Sequence, residues 1–304
     1  MLSIIIVNYN VRDLLYSCLK SIYKYCPKNF LEIILVDNAS KDGSIDMIRL
    51  EFSECILISN NKNVGFSEAN NQGIKIAKGD YIMLLNPDTE LKDDAFSGMV
   101  NYLKQHPEIA ILAPRLLNTD NSLQISCWKF PSVKNIVLES LFMHTIFNIS
   151  KYPEAIFNSI SKVDFAVGAC LLFKKELSDK IGVLDANLFW MEDVDFCYRA
   201  KAMGKIVYYP ESEIIHHSGQ SLKQNYNIAI SNQIISKLKY LKKHFNNFTF
   251  AIGVFFSIIH ILTRTIIFAL LSTIKTNYFS KCNAYIFTFN KLFSFLFLKN
   301  QTIN

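Results

Sequence analysis

The sequence predicts an α/β fold in which a mixed, mainly parallel sheet carries helices on both faces and is followed by an apolar helical, membrane-associated tail. Three observations predict it. Short, uniformly apolar runs alternate with segments of helical periodicity, the pattern of a parallel sheet covered by helices. Polar residues follow directly on the apolar runs. The hydrophobic excess, half of all residues, gathers beyond Phe245 instead of spreading through the chain.

Ser3 to Val7 is a continuous β-branched run, as a strand buried on both faces requires. Leu14, Leu15, Cys18, Ile22 and Tyr25 then recur at helical spacing. Ile33 to Val36 forms a second strand and Gly43 to Glu51 a second helix. Cys55 to Ile58 is a third strand, followed by a helix from Ser67 to Ala77. Tyr81 to Leu85 is a fourth strand, with a helix over Asp93 to Gln105. From Ser126 the alternation fades. Val163 to Phe173 is expected as one strand, Leu188 to Gly204 as a helix entered through an acidic turn, and Tyr208 to His217 as a closing strand.

At 304 residues the length suggests about two domains; regions 1–125, 126–222 and 223–304 are expected, the second opening where the alternation fades and the last holding the apolar tail. Phe248 to Ile274 is apolar apart from His260, Arg264 and a few hydroxyls, and exceeds the roughly 20 residues that cross a bilayer. Lys237, Lys239, Lys242 and Lys243 precede it and Lys275 and Lys281 follow it. Basic residues on both sides are not the asymmetry of a single crossing, so in-plane or re-entrant helices are expected. A second apolar run, Ala284 to Leu298, is broken by Asn290 and Lys291. The net charge of +6 beside apolar helix fits an anionic lipid surface; no nucleic-acid motif accompanies it. The seven cysteines include no C-x-x-C pair, so a thiolate metal site and a disulfide framework are not expected and a reducing compartment is. The N-terminus lacks a basic leader and a cleavage site, and is expected to stay in the cytosol.

Ligands of open α/β sheets bind outside the carboxyl ends of the strands. Asn8, Tyr9 and Asn10 follow the first strand, Asp37 and Asn38 the second, Asn86 and Asp88 the fourth. Asp37 can accept the N3 hydrogen of a uracil or thymine, or a ribose hydroxyl; it can also cap a helix, although Asp42 or Ser44 is better placed to do so. Asn86-Pro87-Asp88 is either a β-turn or a turn that gives one carboxylate to a hard divalent cation shared with a diphosphate. Glu192, Asp193 and Asp195 are either a solvated helix start or a source of a general base, with Phe189, Trp190 and Met191 as an apolar wall against a sugar ring. Of His216 and His217, strand alternation lets at most one reach the cleft. No G-x-G-x-x-G, P-loop or G-x-S-x-G occurs.

Five ordered stretches, Ile-Val-Asn-Tyr-Asn, Val-Asp-Asn-Ala-Ser-Lys-Asp-Gly-Ser, Asn-Val-Gly-Phe-Ser-Glu-Ala-Asn-Asn-Gln-Gly, Leu-Leu-Asn-Pro-Asp-Thr and Met-Glu-Asp-Val-Asp-Phe-Cys-Tyr-Arg, with His-His-Ser-Gly-Gln-Ser after them, resemble the family 2 glycosyltransferases of GT-A fold, in particular their rhamnosyltransferase-like branch. The resemblance runs from about residue 3 to residue 221. It implies a nucleotide-sugar-binding half (1–125), an acceptor and catalytic-base half (126–222) and a membrane-associated helical region (223–304). It implies that Val7, Tyr9, Asp37, Asn63, Gly65, Phe66, Asn70 and Asn86 line the nucleotide side, that Asp88 and His216 hold a divalent metal, Mg2+ or Mn2+, and that Asp193 is the catalytic base. His217 is the reserve ligand; Trp190, Glu192 and Asp195 are secondary. Asn86 stands where the family's DXD motif has its first carboxylate, leaving fewer protein charges for the metal. The implied activity is inverting transfer of a sugar, with rhamnose as the family's lead, from a nucleoside diphosphate to a hydroxyl of a lipid-linked saccharide. The work would be done at the cytoplasmic face of the plasma membrane, in surface polysaccharide synthesis. A nucleotidyltransferase, or a non-catalytic sugar-binding scaffold, is the alternative.

Overall fold

The structure is a computed structural model that describes all residues except 28, 30, 145, 148, 218–225 and 298–304. Ser218 to Ser221 of the last motif therefore lie outside the described residues. The chain divides into two compact units. The first comprises residues 1–130, 151–186 and 192–218, the second 131–150, 187–191 and 219–304.

In chain order the first unit contains β1 (Leu2–Asn8), α1 (Arg12–Tyr25), β2 (Leu31–Asp37), α2 (Ser44–Glu51), β3 (Ile56–Ser59), α3 (Phe66–Ile76), β4 (Tyr81–Leu85), β5 (Thr89–Leu91), α4 (Ala95–Gln105), β6 (Ile109–Leu117), β7 (Leu123–Gln124) and β8 (Cys127–Trp128). The second unit contributes α5 (Val133–Ser140). The chain returns to the first with β9 (Ser161–Val163), β10 (Phe165–Ala166), β11 (Cys170–Lys174), α6 (Lys175–Ile181), α7 (Glu192–Ala200) and β12 (Lys205–His216). It ends in the second with α8 (Tyr226–His244), α9 (Asn247–Ser272) and α10 (Asn277–Phe297).

The main sheet runs β3-β2-β1-β4-β11-β6-β12-β5. β1 pairs in parallel with β2 and β4, β2 with β3, and β6 with β12. β11 is antiparallel to both β4 and β6, so β4 and β6 point the same way. The carboxyl ends of β1, β2, β4, β6 and β12 and the amino end of β11 thus share one edge. The order reverses between β1 and β4, which is the switch point at which such sheets bind ligands. Helices cover both faces. Leu2, Ile4 and Ile6 enter one core with Leu15 and Leu19 of α1 and Met47 of α2, while Ile5 faces α3. α3 sits so close that a Cβ on Gly73 would stand 2.5 Å from Ile5 Cγ2, so only glycine fits there. Each of these isoleucines is wholly buried, a stabilisation of about 1.5–3 kcal/mol apiece.

Three expectations need correction. The single strand over Val163 to Phe173 is three short strands, β9, β10 and β11, interrupted at Asp164 and again at Val167 to Ala169. The helix expected from Leu188 begins only at Glu192. The second apolar run is not broken by Asn290 and Lys291: α10 passes through both, with Asn290 facing outward and Lys291 folded over the Phe287 ring. β6 was not read from the sequence at all.

In the helical unit, Asn246 caps α9 by accepting Thr249 N–H (2.9 Å), worth about 1 kcal/mol. The inner face of α9 is small or polar, with Gly253, Ser257, Ile261 and Arg264 buried, and Gly253 lies against Leu238 and Leu241. Its outer face carries exposed Phe255, Leu262, Ile266 and Leu270. Lys237 pairs with Glu139 at 2.7 Å, and Arg264 donates to the Glu139 carbonyl at 2.8 Å, tying α5 to α8 and α9.

Candidate active site

At the end of β2, Asp37 is fully buried; Oδ1 accepts from Asn8 Nδ2 (2.8 Å) and Oδ2 from Ser40 N–H (2.9 Å). Asp37 is therefore engaged, not free: it pins the end of β1 to the loop after β2. Ser40 Oγ accepts from Asn8 Nδ2 and from Asn10 N–H, both at 3.0 Å. Tyr9, between these anchored residues, is 40% exposed, and Val7 is buried in the strand beneath it. The cap of α2 is Gly43, not Asp42 or Ser44; Asp42, one residue earlier, accepts from Ser44 N–H (3.1 Å) and from Arg12 N–H (2.8 Å), joining the starts of α2 and α1.

The stretch before α3 turns on Gly65, whose φ of +90° suits glycine, with Asn63 Oδ1 accepting Gly65 N–H at 2.9 Å. Asn38 donates to Gly65 O (3.3 Å), joining this turn to the end of β2. Asn70 is buried and holds the first turn of α3 by donating to Phe66 O (3.0 Å).

After β4, Thr89 Oγ1 donates to Asn86 O at 2.8 Å, closing the Asn86-Pro87-Asp88-Thr89 turn. Asp88 Oδ1 then faces His216 Nε2 at 3.3 Å, both side chains nearly buried. Asn86 Nδ2 lies 3.4 Å from the same ring nitrogen. His217 turns the other way, to Glu90 Oε1 at 2.8 Å, as alternation along β12 requires. Two donors each about 2.1 Å from one cation at near-octahedral angles stand roughly 3 Å apart, so Asp88 and His216 fit a divalent ion that accepts oxygen and nitrogen ligands. Among the described residues no cluster of three or more His, Cys, Asp or Glu side chains has metal-binding geometry, so further ligands would come from donor phosphates and water.

Asp193 lies in the first turn of α7. Its Oδ2 accepts from Gly168 N–H (3.0 Å) and its Oδ1 from Val194 N–H (2.7 Å). Burial pushes its carboxyl from 3.8 up to about 6, against the lowering pull of these backbone donors. Asn86 N–H, in turn, donates to Ala169 O at 2.9 Å. A Cβ placed on Gly168 would stand 3.6 Å from Asp193 Cβ and 3.9 Å from Phe66 Cε1. Phe66, Asn86 and Asp193 are thus gathered around residues 168 and 169, next to the Asp88–His216 pair.

The neighbouring carboxylates do other things. Asp195 is wholly buried and grips Arg199 Nε at 2.9 Å, while the guanidinium also donates to the carbonyls of Ile181, Gly182 and Val183. Glu192 is buried as well. Trp190 belongs to the helical unit, stacks on Phe189 with centroids 5.8 Å apart, and holds a left-handed φ of +68°. Sequence reasoning missed Gly168, whose amide holds Asp193; an isolated glycine inside an apolar run was the available sign of a break there. It also missed Gln124, which accepts from or donates to both ends of His216, and gave no role to Asn8.

A mainly parallel sheet with its polar groups gathered at the switch-point edge, widened by an antiparallel β11, defines a GT-A transferase. The glycosyl transferase family 2 profile matches residues 3–182. The chain belongs to that family and is a glycosyltransferase. It is 24% identical over 208 residues to the N-acetylglucosaminyl-diphospho-decaprenol L-rhamnosyltransferase of Mycobacterium tuberculosis, covering 63% of this chain and 68% of that one. In structure it is similar to a Pyrobaculum calidifontis mannosyltransferase solved with GDP-Man and Mn2+ (TM-score 0.58, 15% identity, 98% of this chain and 88% of that one). It is also similar to GalNAc-T7 solved with UDP, GalNAc and Mn2+ (TM-score 0.59, 17% identity), of which it covers 78% of its own length but only 47% of the other's.

Proposed function

We propose that this glycosyltransferase moves a sugar, with inversion, from a nucleoside diphosphate to a hydroxyl of a lipid-linked saccharide at the cytoplasmic face of the membrane. The observation that carries the reading is the bonded chain Asp193–Gly168–Ala169–Asn86, which joins a desolvated carboxylate to the Asp88–His216 pair at the switch-point edge. Tyr9, Asp37 and the Asn63–Asn70 stretch flank it on the side expected for the nucleoside. Asp193 accepts the acceptor's proton as the acceptor oxygen bonds to the anomeric carbon. The bond to the diphosphate breaks on the opposite face and its electron pair leaves with the nucleotide. Asp88 and His216 would hold a divalent cation, which would supply charge neutralisation for that leaving group. Most of the acceleration then comes from positioning and from charge stabilisation, because a carboxylate is far too weak a base to ionise an alcohol beforehand.

The acceptor class is supported by the named activity of the mycobacterial relative and by the helical unit. α9 is 26 residues long, about 39 Å of helix against a hydrocarbon core of about 30 Å, and its most apolar 18-residue window has a mean hydropathy of 2.1. Its polar groups point inward and its large apolar side chains outward, the reverse of a helix that faces water. Lys242 and Lys243 in the last turn of α8 fit an anionic headgroup layer. A panel of nucleotide sugars, beginning with dTDP-rhamnose, tested for thermal stabilisation and for transfer to a lipid-diphosphate saccharide with Mn2+ or Mg2+ added and then chelated, decides the reading. A true donor at a hundred times its Kd stabilises by about 2.7 kcal/mol. Transfer undiminished by Asp88→Asn, or by chelation, would remove the metal from the mechanism.

A further inference from the structure

The turn between β6 and β7 carries a chain of side-chain hydrogen bonds that ends on His216, and its direction is set from the far end. Asp120, a carboxylate that only accepts, receives Ser122 N–H (2.9 Å) and the Ser122 hydroxyl (2.5 Å) at Oδ1. Having given its one proton, Ser122 Oγ accepts from Asn118 Nδ2 at 2.9 Å. Asn118 is thereby turned so that its Oδ1 accepts from Gln124 Nε2, also at 2.9 Å. Gln124 Nε2 gives its second hydrogen to the His216 carbonyl at 3.1 Å. A flipped Gln124 would set its oxygen against two acceptors. Its Oε1 therefore faces His216 Nδ1, 2.7 Å away, and an amide oxygen can only accept. Nδ1 carries the hydrogen. In the neutral ring the lone pair then stands on Nε2, the atom aimed at Asp88 Oδ1.

We propose that Asp120, Ser122, Asn118 and Gln124 form a positioning relay that holds His216 in its Nδ1–H form, so that Nε2 and Asp88 together present lone pairs to a divalent cation. Gln124 is the decisive member because it touches the ring. The inference rests on the metal reading given under Proposed function, but its first readout needs no metal. Outer partners of this kind hold a ligand's tautomer and ring orientation, and their loss costs about 10–100-fold in metal affinity.

The test compares the full-length enzyme with Gln124→Leu, Gln124→Glu and His216→Ala. The imidazole nitrogens are followed by 15N NMR without metal, and Mn2+ binding by EPR titration. The wild type should show His216 as a single Nδ1–H form, identified by the signals missing from His216→Ala. Gln124→Leu should shift that ring toward Nε2–H, where Asp88 can accept the hydrogen, and weaken Mn2+ about 10–100-fold. Gln124→Glu still accepts from Nδ1–H but can no longer donate to the His216 carbonyl or to Asn118. Its second oxygen would stand against the His216 carbonyl and Asn118 Oδ1, as in a flipped glutamine, so the acceptor for Nδ1–H is kept but its support is lost, and Mn2+ affinity should fall between those of wild type and the leucine variant. An unchanged ring and affinity in Gln124→Leu would overturn the relay, and so would full wild-type affinity in Gln124→Glu, since Asp120, Ser122 and Asn118 would then add nothing to the support of His216. Unaltered Mn2+ binding in His216→Ala would instead bring down the metal reading, and the relay with it.

Discussion

Replacing Asp193 by Asn should separate rate from stability, and the structure fixes both signs. The folded carboxyl sits near 6 because it is desolvated, against 3.8 for the ordinary group. The folded state therefore holds the proton more tightly than the unfolded chain. Stability from this site is fully present below about pH 4 and is lost as pH rises through about 6. At pH 7.5 the ionised carboxylate costs the fold about 3 kcal/mol, two units at about 1.4 kcal/mol each. Asn removes the charge but has one acceptor oxygen where Asp193 uses two, for Gly168 N–H and Val194 N–H. The unanswered amide costs about 1–2 kcal/mol. The variant should then be about 1–2 kcal/mol more stable than wild type at pH 7.5, a rise of a few degrees in Tm. It should match wild type near pH 5 and be the less stable of the two at pH 4. Transfer should fall by about 10²–10⁴-fold, the usual contribution of a general base. Thermal unfolding in one detergent across pH 4–8, beside a transfer assay at pH 7.5, measures both. A variant less stable than wild type at pH 7.5 would refute the desolvation argument, and one that transfers within tenfold of wild type would refute the role as base.

Asp195→Ala should do the opposite, destabilising by about 3 kcal/mol by stranding Arg199, while the folded fraction binds donor nucleotide as before; calorimetry with nucleotide titration separates the two. In the wild type, kcat/KM should fall about tenfold per pH unit below an apparent pKa near 6 as Asp193 takes up its proton, and a profile flat from pH 5 to 8 would point to a different base. Ile266→Lys with Leu270→Lys places two charges on the outward face of α9 towards its C-terminal end, each costing less than the roughly 2.5–3.5 kcal/mol of a charge at the centre of a membrane helix. Flotation with anionic vesicles should drop sharply in that variant, and unchanged flotation would mean that this face does not meet lipid.

Much of the fold was legible because β1, β2 and β4 are buried on both faces and so read as unbroken apolar runs. β6 was not, because Pro114 and Arg115 interrupt its run. The proline is tolerated where β12 slips register between Tyr209 and Glu213, and Arg115 is answered from β12 by Glu213 at 3.2 Å. Neither compensation is local. The strand over Val163 to Phe173 was read as one because hydrophobicity alone does not reveal that Gly168 must turn its amide toward α7. The site divides in the same way. Alternation allowed one of His216 and His217 into the cleft without saying which, and the family spacing favoured His216. Asn86-Pro87-Asp88 read equally as a turn or a ligand until β4 and β12 are placed together. Gln124 could not be found, because its partners Asn118 and His216 meet it only once β6, β7 and β12 are laid side by side.

The two edges of the sheet differ in how completely their polar groups are answered. At the amino edge, Ser3 Oγ donates to Glu32, Gly79 N–H donates to Ser3 Oγ, Lys78 N–H donates to Glu32, and the chain's own ammonium reaches Asp80 at 3.2 Å. That edge closes on itself. At the carboxyl edge, Asn8 Oδ1 is buried without a hydrogen-bond partner, the Asp193 carboxyl is desolvated, and Asp88 Oδ1 stands 3.3 Å from His216 Nε2. An unanswered buried acceptor alone costs about 1–3 kcal/mol. The carboxyl edge is not short of partners in general, since the same loops supply Ser40, Asn38 and Gln124 to clamp the side chains around that orphan. The clamped groups hold orientation and the unanswered atom points to what is bound, which is the division a site needs if its dipoles are to be in place before a phosphate-bearing donor arrives.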